Sequence, residues 1–135
     1  MRLRIVWKAR WSVATPVGED GRCPLLAFLE SLSGDLAMDA ERVGRRLQLL
    51  AEAGSIRNEH HARAIRGADG IFELKGTWVR VFYFNLYGHL IVCSHGVLKP
   101  KERRVLAEAE RAMRLRDEVL RAAREGSLAI EEEPG

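Results

Sequence analysis

Leu3, Ile5, Trp7, Ala9, Trp11 and Val13 share one parity at the start of the chain, and Arg2, Arg4, Lys8 and Arg10 share the other. A period of two sends the first set to the core side of a strand and the second to its opposite face, so residues 1–14 read as one long strand. Thr15 to Gly21, with one proline and two glycines, reads as a loop. Pro24 is placed to open a short helix running from Leu25 to about Leu32. Ser33-Gly34-Asp35 interrupts it. Asp39 fits the N-cap of a second helix reaching Ala53, with Val43, Leu47 and Leu50 as its apolar stripe and Gly54 as its stop. Ser55 to Gly70 has no clean period and reads as a connection.

Three strands in a meander are expected next: Ile71 to Lys75, Trp78 to Phe84, and Leu90 to Ser94. The second is dense in aromatic and β-branched residues, and Asn85 to Gly88 supplies a hairpin-like turn. From Glu102 to Arg124 the pattern turns helical, with Leu106, Ala109, Met113 and Leu120 near one face. The order is strand, helix, helix, three strands, helix. It predicts an α+β fold: a small antiparallel-rich sheet with two helices from the N-terminal half and one C-terminal helix, the helices on one face. Residues 1–125 form the single domain of this reading, and residues 126–135 a flexible acidic tail.

The 135 residues suffice for one hydrophobic core, and 47% apolar with 30% charged residues is a globular composition. The net charge of +3 becomes +6 once the three carboxylates of Glu131, Glu132 and Glu133 are set aside, an excess that suits a polyanionic partner. Charges bound every apolar run near the start, none longer than Ile5-Val6-Trp7, so no secretory leader is read there. No stretch approaches the roughly 20 apolar residues of a spanning helix. Cys23 and Cys93 have no metal-ligand spacing. These features place the protein in the cytoplasm, away from membranes, with reduced thiols.

Concentrated chemistry lies between Gly70 and Lys101, where Lys75, Arg80, Tyr83, His95, Lys99 and Lys101 fall on or just after the meander strands. Cutting RNA without a metal makes the ribose 2′-hydroxyl attack its own 3′-phosphate. The site then needs a base, an acid and cations for the charge developing on phosphorus. His95 could exchange the proton near neutral pH. Arg80 could clamp phosphate oxygens, with Lys75, Lys99 or Lys101 adding point charge. Tyr83 could donate a proton or stack on a base. Each also has an ordinary structural reading: Arg80 as a sheet-face residue, His95 as a satisfied core histidine, Tyr83 as a core ring, and Lys99 to Arg104 as a solvated helix entrance. Arg80 and Tyr83 stand three apart, so an unbulged strand aims them at opposite faces. The adjacent His60 and His61 do not converge on a metal, and no phosphate-cradling glycine loop or activated serine motif is present.

Three segments in order carry a resemblance: Phe72-Glu-Leu-Lys75, Arg80-Val-Phe-Tyr-Phe84 and Leu90-Ile-Val-Cys-Ser-His-Gly-Val-Leu-Lys99. With Pro24-Leu-Leu-Ala-Phe28-Leu-Glu-Ser-Leu32 upstream, the pattern from about Pro24 to Leu120 resembles the phage-derived HigB-like branch of the RelE/ParE toxin superfamily. The resemblance implies a toxin of a type II toxin–antitoxin pair that cleaves messenger RNA, often on the ribosome, needs no cofactor, and is neutralised by a helix-turn-helix antitoxin. By position it matches Arg80, His95, Lys99 and Lys75, the expected catalytic set; Lys101, Arg103, Arg104 and Tyr83 are the RNA contacts expected from the residues themselves. Lys75 stands where relatives usually carry arginine, keeping the charge and losing the bidentate fork. Pro100 interrupts the usual lysine run. Two other readings share the fold: a ParE-like topoisomerase poison without catalysis, and a phage-derived RNA- or protein-binding module that is not toxic.

Overall fold

The computed structural model describes residues 1–132. Ten elements follow one another: β1 Arg2–Lys8, β2 Ser12–Pro16, α1 Pro24–Glu30, α2 Asp35–Ala53, β3 Ala62–Ala64, β4 Ile71–Lys75, β5 Val79–Tyr87, β6 Leu90–Leu98, α3 Glu102–Arg124 and β7 Ala129–Glu132. They build an α+β fold around one seven-stranded sheet in the order β3-β4-β5-β6-β2-β1-β7. Pairing is antiparallel except where β2 meets β6 and β1 meets β7.

The helices lie on both faces of the sheet, not on one as the sequence reading expected. Phe82 and Phe84 pack with Val105, Ala109, Ala112 and Val119 of α3, whereas Val79, Val81 and Tyr83 pack with Val43, Leu47 and Leu50 of α2. The cause is visible in β5, where every residue from Val79 to Phe84 is buried. A strand covered on both sides reads as a continuous apolar run and not as an alternation. Arg80 is the one charged residue in that run, and it shares the α3 side with Phe82 and Phe84.

Three further departures concern the ends and the connection. The opening strand is two strands joined by a tight reversal, and a register shift between Ile5 and Trp7 breaks the parity. Leu3 and Ile5 therefore pack on the α3 side and Trp7 on the α2 side. Three residues of the unpatterned connection form β3, a length too short to show a period. Within the segment read as a flexible acidic tail, Ala129 to Glu132 pairs in parallel with Arg2 to Ile5. Glu131 bonds Arg4 at 2.8 Å, and Glu132 pairs with Lys8. Charge matching to the basic first strand takes the place of an apolar pattern.

Helix α2 begins at Asp35, one turn before the cap assigned to Asp39. Asp39 instead sits inside α2, fully buried, and caps the turn between β4 and β5. Its carboxylate accepts the N–H groups of Thr77, Trp78 and Val79 at 2.7, 2.7 and 2.8 Å, and a bond from Arg42 Nη1 at 2.8 Å. The approach requires Gly76, because a Cβ there would stand 2.6 Å from the carboxylate oxygens. Helix α3 matches the expected span. Cys23 and Cys93 are buried and form no disulfide. No helix among the described residues is long and apolar enough to cross a membrane.

Candidate functional site

On the α3 side, beyond the end of the core, the sheet carries a cation-lined hollow of about 140 Å³. Lys75 and Arg80 are direct cross-strand partners on β4 and β5, so their side chains leave the sheet together. Lys99, just past β6, and Arg63, from β3, complete the cationic lining, with Glu73, Pro100, Glu102 and Val105. Four cations face two carboxylates there.

Arg80 is only 7% exposed. Its Nη1 donates to the carbonyls of Gly76 at 2.7 Å and Val79 at 3.1 Å, and its Nε lies 3.5 Å from Glu73 Oε2. Glu73 is 1% exposed and accepts a bond from Arg63 Nε at 2.9 Å, so one buried carboxylate holds two guanidinium groups in place. Such a carboxylate is committed to positioning. Arg63 Nη2 also reaches Glu102 at 3.4 Å. Burial pushes the Lys75 ammonium below the ordinary lysine range, and Arg63 and Arg80 add to the effect against Glu73. A guanidinium of Arg46 bonds the Lys75 carbonyl from the opposite side of the sheet end.

His95 lies outside this hollow. The β5–β6 register shifts between Phe82↔His95 and Tyr83↔Cys93, which leaves Ser94 as the extra residue of a bulge. The bulge turns His95 to the α3 side. There its ring stacks on Phe82 with centroids 5.3 Å apart, and Ser94 Oγ bonds Nδ1 at 2.8 Å. Nε2 is buried 3.3 Å from Glu108 Oε1 without the alignment of a hydrogen bond. Burial, reinforced by Arg111 and opposed by Glu108, pushes the imidazole down to about 4, so it is neutral at pH 7. It borders a separate hollow with Pro16, Pro24, Ser94, Arg111 and Arg114.

Tyr83 points to the α2 side, as the spacing from Arg80 implied. It is buried, its ring stacks on Phe72 at 5.3 Å, and burial raises its phenol above the ordinary range. Lys101, Arg103 and Arg104 are exposed at the entrance of α3. The structure thus brings together Lys75, Arg80 and Lys99, adds Arg63 and Glu73, and places His95 and Tyr83 elsewhere. Glu73 left one trace in the sequence, a lone acid inside an apolar strand. Arg63 left none. Among the described residues no three of His, Cys, Asp and Glu are grouped so as to hold a metal ion.

No protein-family model matches the chain, and no curated protein matches it. Among solved structures, a chain of the RelB–RelE antitoxin–toxin complex from Methanococcus jannaschii is similar at a TM-score of 0.41 and 11% identity. The match covers 62% of this chain and 89% of that one.

Proposed function

We propose that this protein is the toxin of a type II toxin–antitoxin pair and a metal-independent endoribonuclease acting on messenger RNA. The observation that carries the reading is the cross-strand pair of Lys75 and Arg80 opening into one hollow with Lys99. An RNA phosphate there meets a guanidinium held by Glu73 and the Lys99 ammonium, the kind of preorganised charge that stabilises a phosphorane. Lys75, with its lowered ionisation, is the proton-exchanging group in place of His95. Its neutral amine takes the 2′-hydroxyl proton as the 2′-oxygen bonds to phosphorus. The bond to the 5′-oxygen then breaks with a proton supplied by the Lys99 ammonium, leaving a 2′,3′-cyclic phosphate and a 5′-hydroxyl. The motif order from Pro24 to Leu120 supports the toxin assignment. A helix-turn-helix antitoxin, messenger RNA and the ribosome are the partners this reading entails, in the cytoplasm and without a cofactor.

Incubating the purified protein with messenger RNA in excess chelator, followed by mapping of transcript ends, tests the reading. New internal ends bearing cyclic phosphates, lost in Arg80→Ala, are the expected result. Intact transcripts at micromolar protein, both in that reaction and on translating ribosomes without chelator, would overturn it. The ion-paired state of Arg80 favours one other reading, binding without cleavage, which would show RNA retention with no new ends.

A further inference from the structure

Trp78 is 46% exposed and Met38 is 63% exposed, and together with Asp35 and Arg42 they border an open hollow of about 290 Å³ beside the β4–β5 turn. Single exposed apolar residues are ordinary on protein surfaces. This one differs in how firmly its backbone is held. The N–H of Trp78 is bound by Asp39 at 2.7 Å, and its carbonyl accepts the N–H of Lys99 at 2.5 Å. Just before it, Thr77 Oγ1 accepts a bond from Arg42 at 3.1 Å, and the Gly76 carbonyl takes Arg80 Nη1. The residues that fix this turn are thus the residues of the cation hollow on one side, Arg80 and Lys99, and those of α2 on the other. The indole is an aromatic plate mounted on a rigid turn at the end of the sheet, on the α2 side, with the cation hollow on the α3 side of that same end.

We propose that Trp78, with Met38 beside it, is a stacking platform for a nucleobase adjoining the phosphate held by Arg80, so that the protein takes single-stranded RNA across the end of its sheet. The inference rests on the ribonuclease reading and names the substrate form of that same site. A single strand can present an unstacked base to an aromatic face while its backbone follows the cations; a duplex cannot. Continuity through Lys99, which touches Trp78 with its backbone and lines the hollow with its side chain, links the two halves. Stacking of this kind tolerates different bases, so the platform sets strandedness and position more than sequence.

The test uses the full chain with fluorescein-labelled RNA, measuring affinity by anisotropy and cleavage by gel. Trp78→Ala should weaken binding of a single-stranded oligonucleotide about tenfold, and Trp78→Phe should restore most of it. An oligonucleotide carrying one abasic residue beside the cleaved linkage should bind wild type and Trp78→Ala equally. Circular dichroism melting of Trp78→Ala should match wild type, which separates lost stacking from lost folding. If wild type binds and cuts RNA but Trp78→Ala binds intact RNA as tightly, the platform is overturned and the nuclease reading stands. If wild type neither binds nor cuts, both fall together. If a duplex is bound as tightly as the single strand, the proposed substrate form is wrong.

Discussion

The Asp39 carboxylate, carried by α2, lies 2.8 Å from the amide nitrogen of Val79 at the start of β5. One buried acid thereby joins the helix layer to the turn that carries Trp78 and borders the Arg80 hollow. Burial alone would raise this carboxyl, but three amide donors and Arg42 overcome it and hold it below the ordinary range. Asp39→Ala strands three N–H groups and should cost about 2–4 kcal/mol in denaturant unfolding. Because the folded ionisation is depressed, this stabilisation is complete above about pH 5 and is lost as pH falls through the folded value. The acid limb of a wild-type stability curve should therefore flatten in Asp39→Ala.

Lys99 offers a cleaner probe of phosphate contact than Arg80, whose removal would also leave Glu73 short of a partner. Its side chain is exposed, so Lys99→Ala should change unfolding free energy by less than about 0.5 kcal/mol. Affinity for single-stranded RNA should fall. The slope of log affinity against log salt should shrink by about 0.7, the loss of one phosphate contact. An unchanged slope would place RNA elsewhere.

Lys75 makes the pH dependence of cleavage diagnostic. Burial with Arg63 and Arg80 nearby lowers its ionisation, so a rate that needs the neutral amine should climb with pH and level off below the ordinary lysine range. Lys75→Arg keeps the charge and removes the titration. Single-turnover rates of that variant should fall by about 100-fold and lose the climb.

His95 is expected to matter for stability and not for the chemical step. Its folded ionisation near 4 lies below the unfolded value of about 6.5, so the unfolded chain binds the proton first. Stability is then full above about pH 6.5 and declines as pH falls toward 4, by up to about 3 kcal/mol. His95→Phe should remove that decline in thermal melts while leaving transcript cleavage within about threefold of wild type. Abolished cleavage in a folded His95→Phe would return the imidazole to the mechanism.

Much of this architecture was legible because burial on one or two faces leaves a mark in sequence. The helical pattern of residues 102–124 predicted α3 with its observed bounds, but its face was read one residue off: Val105, Ala112 and Val119 are buried where Leu106, Met113 and Leu120 were expected, and Leu106 is exposed. The run from Trp78 to Phe84 predicted a strand, though not its place in the sheet. That same run held the evidence for a two-sided sheet, which the expectation of helices on one face passed over. Within the site, Lys75, Arg80 and Lys99 were readable as cations on adjoining meander elements. Arg63 was not, because a three-residue strand has no periodicity. Asp39 fits a cap for its own helix by local pattern; the three amides it binds lie 38 to 40 residues away, a distance that local pattern does not reach. The pairing of β7 escaped for a related reason: Glu131 and Glu132 are recognisable as strand residues only opposite Arg4 and Lys8.

Ser94 acts as a phase change within β6. Before it, Val92 alternates with Ile91 and Cys93 across the sheet. After it, His95 and Val97 take the Val92 side, and Gly96 faces α1, where a Cβ would stand 2.7 Å from the Phe28 ring. Were the ladder to run on unbulged, Ser94 would pair with Phe82 and His95 with Val81, carrying the imidazole toward Phe28, a place with room only for hydrogen, and rotating the approach to Lys99 by half a turn. The bulge, more than the residue type, thus decides which layer of the molecule the histidine belongs to. Chains that share the letters of this segment but pair it without the bulge would not share its chemistry.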